Sequence, residues 1–153
     1  MLRLKAAASG LSDFTTGTFK PFIPDAKVSN ASRLIFTSGK VYYDLIAERE
    51  KLGEHSTAIA RVEQLYPLPI DEIIAEAKKH PNATLLWVQD EPANQGPWPF
   101  VSAVAQETFP SHDELNNRTF RRVSRRATAS PATGNHHLHE EEQHALMMEA
   151  FTR

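Results

Sequence analysis

Two neighbouring carboxylates, Asp90 and Glu91, are the first residues of this sequence that could do chemistry. They follow a short apolar segment, and paired carboxylates can serve as general acid and base when their surroundings separate their pKa values. Adjacent residues of an extended chain point to opposite sides, however, so two unrelated polar contacts fit the same pattern. We favour the polar contacts. A small independent hydrolase or transferase that uses both carboxylates is the alternative.

The densest local charge is a group of four arginines: Arg121, Arg122, Arg125 and Arg126. A guanidinium donates through two parallel N–H groups, which suits a phosphate or a carboxylate. On a strand, residues 121 and 125 share one face and residues 122 and 126 share the other, so the four do not form a single basic surface. Salt bridges to nearby acids are the competing interpretation, because blocks of charge are usually solvated or paired.

A group of histidines lies near the C-terminal end: His136, His137, His139 and His144. A zinc-protease helix needs two histidines four positions apart, whereas His139-Glu140 is followed by His144 after five. His137 and Glu141 have the right spacing but supply only two ligands, and a zinc site needs three or four. We therefore expect a polar helix face and predict no metal site.

Ser38, Gly39 and Lys40 follow another apolar segment, where a helix is expected to begin. The amides of a helix N-terminus together with a lysine can bind an anion. A tight turn that requires glycine explains the same residues, and we favour it. The six glycines of the chain are too scattered for a dinucleotide fingerprint or a P-loop.

Composition excludes several classes of protein. The 153 residues suffice for one domain, and 41% hydrophobic with 24% charged residues is ordinary for a soluble globular protein. The net charge of -2 excludes nucleic-acid binding driven by overall charge. The absence of cysteine excludes disulfides and thiolate catalysis, and no apolar segment is long enough to span a membrane. We expect a cytoplasmic protein.

Predicted strands and helices alternate from residue 33 onward. Short apolar segments predict strands at residues 34–37, 58–62, 84–88 and 120–124, and apolar residues at helical spacing follow each of them, at residues 41–51, 71–80, 97–107 and 135–151. Fourfold alternation predicts an α/β fold with a mostly parallel sheet and helices on its faces. Ligands of such sheets bind beyond the carboxyl ends of the strands.

Residues 1–32 form a predicted arm that precedes the domain of residues 33–153. Glycines and prolines punctuate it, yet Phe14, Phe19 and Phe22 are apolar, so we expect it to lie against another surface. A surface absent from this chain is one candidate.

Six motifs occur in an order that resembles a known family. They are Met1–Lys5 with Asp13–Thr16, Ser38–Leu45, Arg61–Pro69, Gln89–Trp98, Ser124-Arg125 leading to Ala129–Gly134, and the ending from His139 to Phe151. Together they resemble the C-terminal domain of the thiamine-diphosphate-dependent decarboxylating component of 2-oxoglutarate dehydrogenase, especially the actinobacterial multifunctional members.

The resemblance implies a three-layer, transketolase C-terminal-like domain with a mostly parallel five-stranded sheet. It also implies oxidative decarboxylation of 2-oxoglutarate in the parent enzyme, whose upstream domains hold thiamine diphosphate and Mg²⁺. No Gly-Asp-Gly followed by Asn occurs here, so we expect no cofactor, no catalytic residue and no activity from this chain alone. The implied partners are the upstream domains, a second copy in a homodimer and the lipoyl acyltransferase component.

The resemblance also implies an effector site in members that acetyl-CoA activates, and Gln64 matches one of its contacts. Thr18, Pro21, Asp71 and Glu72 stand where we align a Lys, a Ser and two Arg of those members. Carboxylates repel the phosphates of CoA, which weakens the expectation of acetyl-CoA control. The alternative function is a stand-alone CoA- or nucleotide-phosphate-binding module that uses Arg125, Arg126 and the loop of residues 130–134.

Overall fold

A computed structural model describes residues 4–152 and shows a five-stranded sheet between two helical layers. The strands are β1 (Phe22–Ile23), β2 (Arg33–Thr37), β3 (Thr57–Val62), β4 (Thr84–Pro92) and β5 (Phe120–Arg125). The helices are α1 (Leu11–Thr15), α2 (Val41–Leu52), α3 (Ile70–Lys79), α4 (Trp98–Thr108) and α5 (His136–Thr152). Residues 1–3 of the predicted arm and residue 153 of the predicted domain lie outside the described part.

The strand order is β1-β3-β2-β4-β5, and every pair is parallel except β1 with β3. The predicted α/β fold, with its mostly parallel five-stranded sheet, is therefore confirmed. The four strands found from apolar patterning are correct to within a few residues. The pattern missed β1, because only Phe22 and Ile23 pair with the sheet.

The two faces of the sheet carry separate halves of the core. Phe36 and Trp87 pack with α3 and α4 on one face, while Ile35 and Leu86 pack with α2 and α5 on the other. Successive side chains of a strand point to opposite faces, so a sheet covered on both faces needs strands that are apolar throughout. This requirement explains the uninterrupted apolar segments of β2 and β4.

A buried ion pair attaches the segment between β1 and β2 to the rest of the fold. Asp25 Oδ1 accepts hydrogen bonds from the amide of Lys27 at 2.6 Å and from that of Val28 at 3.3 Å. Its Oδ2 accepts from the amide of Ile59 at 2.8 Å and from the guanidinium of Arg49. Both side chains of the pair are at most 5% exposed. One carboxylate thus joins this segment to α2 and β3.

The pKa of Asp25 reflects this environment. Burial alone would raise it, but the amides of Ile59 and Lys27 and the charge of Arg49 outweigh burial and hold the pKa below its ordinary value of 3.8. The carboxylate therefore stabilises the fold above pH 3.8, and this stabilisation is lost as the pH falls through the lower folded pKa.

Two further polar contacts fix the end of α3. The buried His80 accepts a hydrogen bond from the amide of Ala31 at its Nδ1, 3.1 Å away. Arg118 donates to the carbonyl oxygens of Ala77, His80 and Ala83 at 2.6–2.8 Å. The carbonyls of Ala77 and His80 also accept backbone hydrogen bonds, from the amides of His80 and Ala83. Arg118 thus adds side-chain hydrogen bonds that attach the connection between α4 and β5 to the end of α3.

None of the helices within residues 4–152 combines the length and the apolar character that crossing a bilayer requires.

The Asp25–Arg49 pair generates a stability prediction. We expect Asp25→Ala to lower the free energy of unfolding by about 3–5 kcal/mol, because it leaves a buried guanidinium without its carboxylate. Urea unfolding near neutral pH measures this loss, and the difference from the unmodified chain should narrow below pH 3.8. Glu50→Ala, which removes the exposed Lys27–Glu50 pair, is the control and should change the urea midpoint little. An equal effect of both variants would contradict the prediction.

Candidate functional site

The strands β2 to β5 end at the carboxyl edge of the sheet, which is where sheets of this type bind ligands. The chain leaves β2 toward β3 on one side and later returns to place β4 on the other side. A crevice between diverging loops is expected at such a reversal of strand order. Gly39, which follows β2, has a φ of 75°, so the favoured interpretation of Ser38-Gly39-Lys40 as a turn that requires glycine agrees with the structure.

A bulge in β4 brings three polar residues to this edge. Val88 pairs with Val123 and Pro92 pairs with Arg125, so β4 takes four residue steps where β5 takes two. The additional residues fall within the segment of Gln89, Asp90 and Glu91. A bulge re-aims side chains, and bulges are over-represented beside functional sites.

Gln89 determines the path of the connection from β4 to α4. Its side chain is buried, and its Oε1 accepts hydrogen bonds from the indole of Trp87 at 3.1 Å and from the amide of Trp98 at 3.0 Å. Its Nε2 donates to the carbonyl oxygens of Pro92 at 3.1 Å and Gln95 at 2.7 Å. Both ends of the amide are therefore satisfied, and both ends of the loop are held by one side chain.

Asp90 and Glu91 point into different surroundings. Asp90 faces Lys40 of the turn after β2 and Gln143 of α5. The Glu91 side chain folds over Gly96, where an added Cβ would lie 2.9 Å from the Cβ of Glu91. The two carboxylates therefore share no cleft in which one could act as acid and the other as base. This arrangement agrees with the favoured interpretation of the sequence, in which Asp90 and Glu91 make two unrelated polar contacts.

Burial raises the pKa of Asp90 above its ordinary value of 3.8. The neighbouring Gln143 amide and the Lys40 charge act the other way without cancelling burial, and the charges of Asp44 and Glu91 add to the rise. Lys40 pairs with Asp44, which also accepts a hydrogen bond from Gln143. Within residues 4–152, Oδ1 of Asp90 is buried without a hydrogen-bond partner.

The candidate effector residues lie in two separate places. Gln64 follows β3 and donates to the carbonyl oxygen of Pro67 at 2.7 Å. Arg125 ends β5, its side chain is 10% exposed, and it donates to the carbonyl oxygen of Asp90 at 2.6 Å. Because β2 and β4 lie between β3 and β5, the two strands that lead to these residues are about 14 Å apart. The guanidinium of Arg125 is thus already occupied by contacts within the fold. The structure does not place it beside Gln64.

Arg126 differs from Arg125 in being exposed. It lines a 350 Å³ pocket with the hydroxyl-bearing residues Thr128, Ser130 and Thr133, beside the N-terminus of α5. The other two arginines, Arg121 and Arg122, are also exposed. The guanidinium of Arg122 lies 5.9 Å from the centre of the Trp98 ring. The four guanidinium groups therefore form no common clamp.

The histidines lie on the exposed first turns of α5. Asn135 caps this helix by accepting a hydrogen bond from the amide of Leu138. His136 and His137 lie 3.6 Å and 3.5 Å from Glu140 and Glu141, each one turn later. No three side chains suited to a metal come together in the part of the chain that the structure describes.

Two groups of apolar side chains are exposed to solvent. In the arm, Leu11, Phe14 and Phe19 are 82%, 77% and 68% exposed. At the carboxyl edge, Tyr66 is 82% exposed and its ring centre lies 6.0 Å from that of Phe100. The sequence indicated Phe14 and Phe19 by their unusual setting but not Leu11, and Phe22 packs against the core of the domain itself. The sequence contained no sign of the Tyr66–Phe100 pair, because an exposed aromatic residue has no pattern that separates it from a buried one.

Comparison with known proteins supplies the context for these features. The sequence model of a family described as 2-oxoglutarate dehydrogenase C-terminal matches residues 8–151. The 2-oxoglutarate dehydrogenase E1 component of Cupriavidus necator is 45% identical over 100% of this chain, which covers 16% of that protein. The E1/E2 component of Corynebacterium glutamicum is also 45% identical, over 99% of the chain and 12% of its own length.

A relative that is named for a different substrate is similar over the same range. The 2-oxoadipate dehydrogenase complex component E1 of Danio rerio is 40% identical over 99% of this chain. The chain spans 12–16% of the length of these relatives.

The hydrogen bonds of Gln89 generate a second stability prediction. We expect Gln89→Met to cost about 3 kcal/mol of unfolding free energy, because several buried polar groups lose their partner while side-chain volume is retained. Urea unfolding measures the loss, and the indole N–H resonance of Trp87 should shift. Gln106→Met on the exposed side of α4 is the matched control, with an expected change close to zero. Comparable losses in both variants would contradict the assigned role of Gln89.

The raised pKa of Asp90 generates the opposite prediction, namely that removing its charge stabilises the fold. An ionised Asp90 destabilises the fold, and this penalty is absent below pH 3.8 and complete once the pH exceeds the higher folded pKa. We therefore expect Asp90→Asn to raise the melting temperature near pH 7 and to raise it less near pH 4. Thermal unfolding at both pH values checks this, with Glu91→Gln as the exposed control. A gain independent of pH would show that desolvation of the charge is not the cause.

Proposed function

The chain belongs to the family of 2-oxoglutarate dehydrogenase C-terminal domains, and we propose that it is the structural, non-catalytic C-terminal part of a thiamine-diphosphate-dependent 2-oxoglutarate dehydrogenase. The observation that carries this proposal is the family match over residues 8–151, together with 45% identity to two relatives along essentially the whole chain. In this view the domain holds other parts of the enzyme in position and supplies no group to the reacting atoms.

The proposed parent enzyme decarboxylates 2-oxoglutarate oxidatively and passes the succinyl group to a lipoyl acyltransferase component. Thiamine diphosphate and Mg²⁺ supply the chemistry of the decarboxylation, and the proposal assigns both to upstream domains that correspond to the remaining length of the relatives. A homodimer in the cytoplasm is part of the same proposal. The name of the Danio rerio relative makes 2-oxoadipate the competing substrate.

The arm supports a structural role through its exposed apolar side chains. Leu11, Phe14 and Phe19 contribute little to the core of this domain, since each is at least 68% exposed. Burying one such side chain against another protein surface would contribute about 1.5–3 kcal/mol. The end of the arm is fixed, because β1 pairs with β3 and Asp25 is buried beside them. An arm held at one end and apolar at the other is suited to packing across an upstream domain.

Effector binding by Gln64, Arg125 and Arg126 stays a prediction. The exposed Arg126 and the hydroxyl groups around its 350 Å³ pocket favour a phosphate-bearing ligand. The hydrogen bonds of Arg125 and the distance to Gln64 favour two unconnected contacts instead. Adding acetyl-CoA to a chimeric enzyme that carries this chain separates these two possibilities.

A chimeric enzyme tests the proposed function. The region of the Cupriavidus necator E1 component that aligns with this chain is replaced by this chain, and ferricyanide reduction is followed with 2-oxoglutarate and with 2-oxoadipate. We expect the chimera to be active and thiamine-diphosphate-dependent, whereas the E1 component truncated before this region should be inactive. Activity of the isolated chain, or an inactive but folded and dimeric chimera, would overturn the proposal.

Paired variants of the chimera test the role of the arm. Phe14→Ser with Phe19→Ser should lower the melting temperature of the assembled enzyme. Leu138→Ser, at a side chain of α5 that is 46% exposed, is the matched control and should have little effect.

A further inference from the structure

We propose that the groove beside Tyr66 and Phe100 binds a basic segment of a protein partner through one apolar side chain and its flanking cations. This inference goes beyond the proposed function, because it assigns a surface and a partner chemistry that family membership does not require.

The groove lies at the carboxyl edge, between the connection that follows β3 and the first turn of α4. It has a volume of about 420 Å³, and its apolar lining comes from Leu65, Tyr66, Pro97 and Phe100. The Tyr66 and Phe100 rings are tilted by 58° with their centres 6.0 Å apart. Tyrosine rings in such settings are frequent anchors of protein interfaces, because they contribute a large contact area with few rotatable bonds.

The groove is formed before any partner arrives. Gln89 fixes the loop that carries Pro97, since its Oε1 accepts the amide hydrogen bond of Trp98. Gly96 has a φ of 67° and leaves room for the Glu91 side chain, which folds against it and reaches the groove. A surface that needs no rearrangement loses less conformational entropy on binding.

The charge of this surface defines the partner. Glu91 lines the groove. Asp71 and Glu72 do not line it, but both are exposed in the first turn of α3, a few residues after Tyr66 in the sequence. None of these three carboxylates pairs with a cation within the described residues. Among residues 4–152, no lysine or arginine lines the groove. Acidic segments are therefore repelled, and basic segments are attracted and oriented.

An arginine side chain suits this surface in two ways. Its guanidinium can pair with a carboxylate, and its planar face can stack on the Tyr66 ring in a cation–π contact. The chain already contains such contacts, since the Arg61 guanidinium lies 4.8 Å from the centre of the Tyr42 ring. A neighbouring apolar side chain of the same segment would fill the groove. Both contacts together favour an extended polypeptide over a small cation, which would use only one of them.

Binding of defined peptides to the 153-residue chain tests the proposal. The probe is a fluorescein-labelled peptide with one leucine flanked by arginines, measured by fluorescence anisotropy. Two matched peptides replace the arginines by glutamates or the leucine by glycine. We expect the arginine–leucine peptide to bind about tenfold more tightly than either matched peptide, corresponding to loss of one interface anchor or its charge complementarity. The preference over the glutamate peptide should shrink at high salt.

Variants locate the binding site. Tyr66→Ser should weaken binding of the arginine–leucine peptide about tenfold, and Glu91→Gln should narrow its preference over the glutamate peptide. Leu138→Ser removes a 46%-exposed apolar residue of α5 that does not line the groove, and it should leave the affinity unchanged.

Several outcomes would overturn the proposal. They are equal binding of the arginine and glutamate peptides, no saturation by any peptide below about 1 mM, or an affinity that Tyr66→Ser does not alter. Binding to a tetramethylammonium probe that matches the peptide affinity would indicate a small-cation site instead. Because the free chain is used, these results are independent of whether the chimeric enzyme is active.

Discussion

The side-chain amide of Gln89 has to remain satisfied at both of its ends, and the carboxyl edge of the sheet is arranged around that requirement. Its oxygen accepts from Trp87 and from the start of α4, while its nitrogen donates to the carbonyl oxygens of Pro92 and Gln95. A buried amide with missing partners would cost more than the hydrogen bonds contribute, so the loop has little freedom. The separation of Asp90 from Glu91 and the shape of the groove at Tyr66 both follow from that fixed loop.

Two aspartates of this fold show how much the surroundings of a carboxylate matter. Asp25 and Asp90 are both withdrawn from water, and burial by itself raises the pKa of each. Backbone amides and a guanidinium reverse the effect at Asp25, whereas the amide of Gln143 does not reverse it at Asp90. Asp25 consequently stabilises the attachment of the segment before β2, whereas ionised Asp90 destabilises the fold. Identical side chains thus act on stability in opposite directions.

The sequence predicted the elements that have a period and missed the contacts that have none. Apolar patterning located β2 to β5 and α2 to α5, because both faces of the sheet must be covered. β1 was missed, because two residues are too few to form a pattern. The rule that adjacent side chains diverge correctly separated Asp90 from Glu91. The distance between Gln64 and Arg125, the saturation of Gln89 and the exposure of Tyr66 depend on strand order and loop shape, which local sequence does not contain.

The position of β5 at one end of the strand order affects how the molecule behaves at high concentration. An edge strand offers unpaired N–H and C=O groups, and exposed edges of this kind let sheets of separate molecules join into aggregates. Arg121 and Arg122 are exposed on β5 and face opposite sides of the sheet. A second β5 pairing along this edge would bring like charges together on both sides, which is unfavourable. The arginines that form no ligand clamp therefore protect the sheet against edge-to-edge polymerisation.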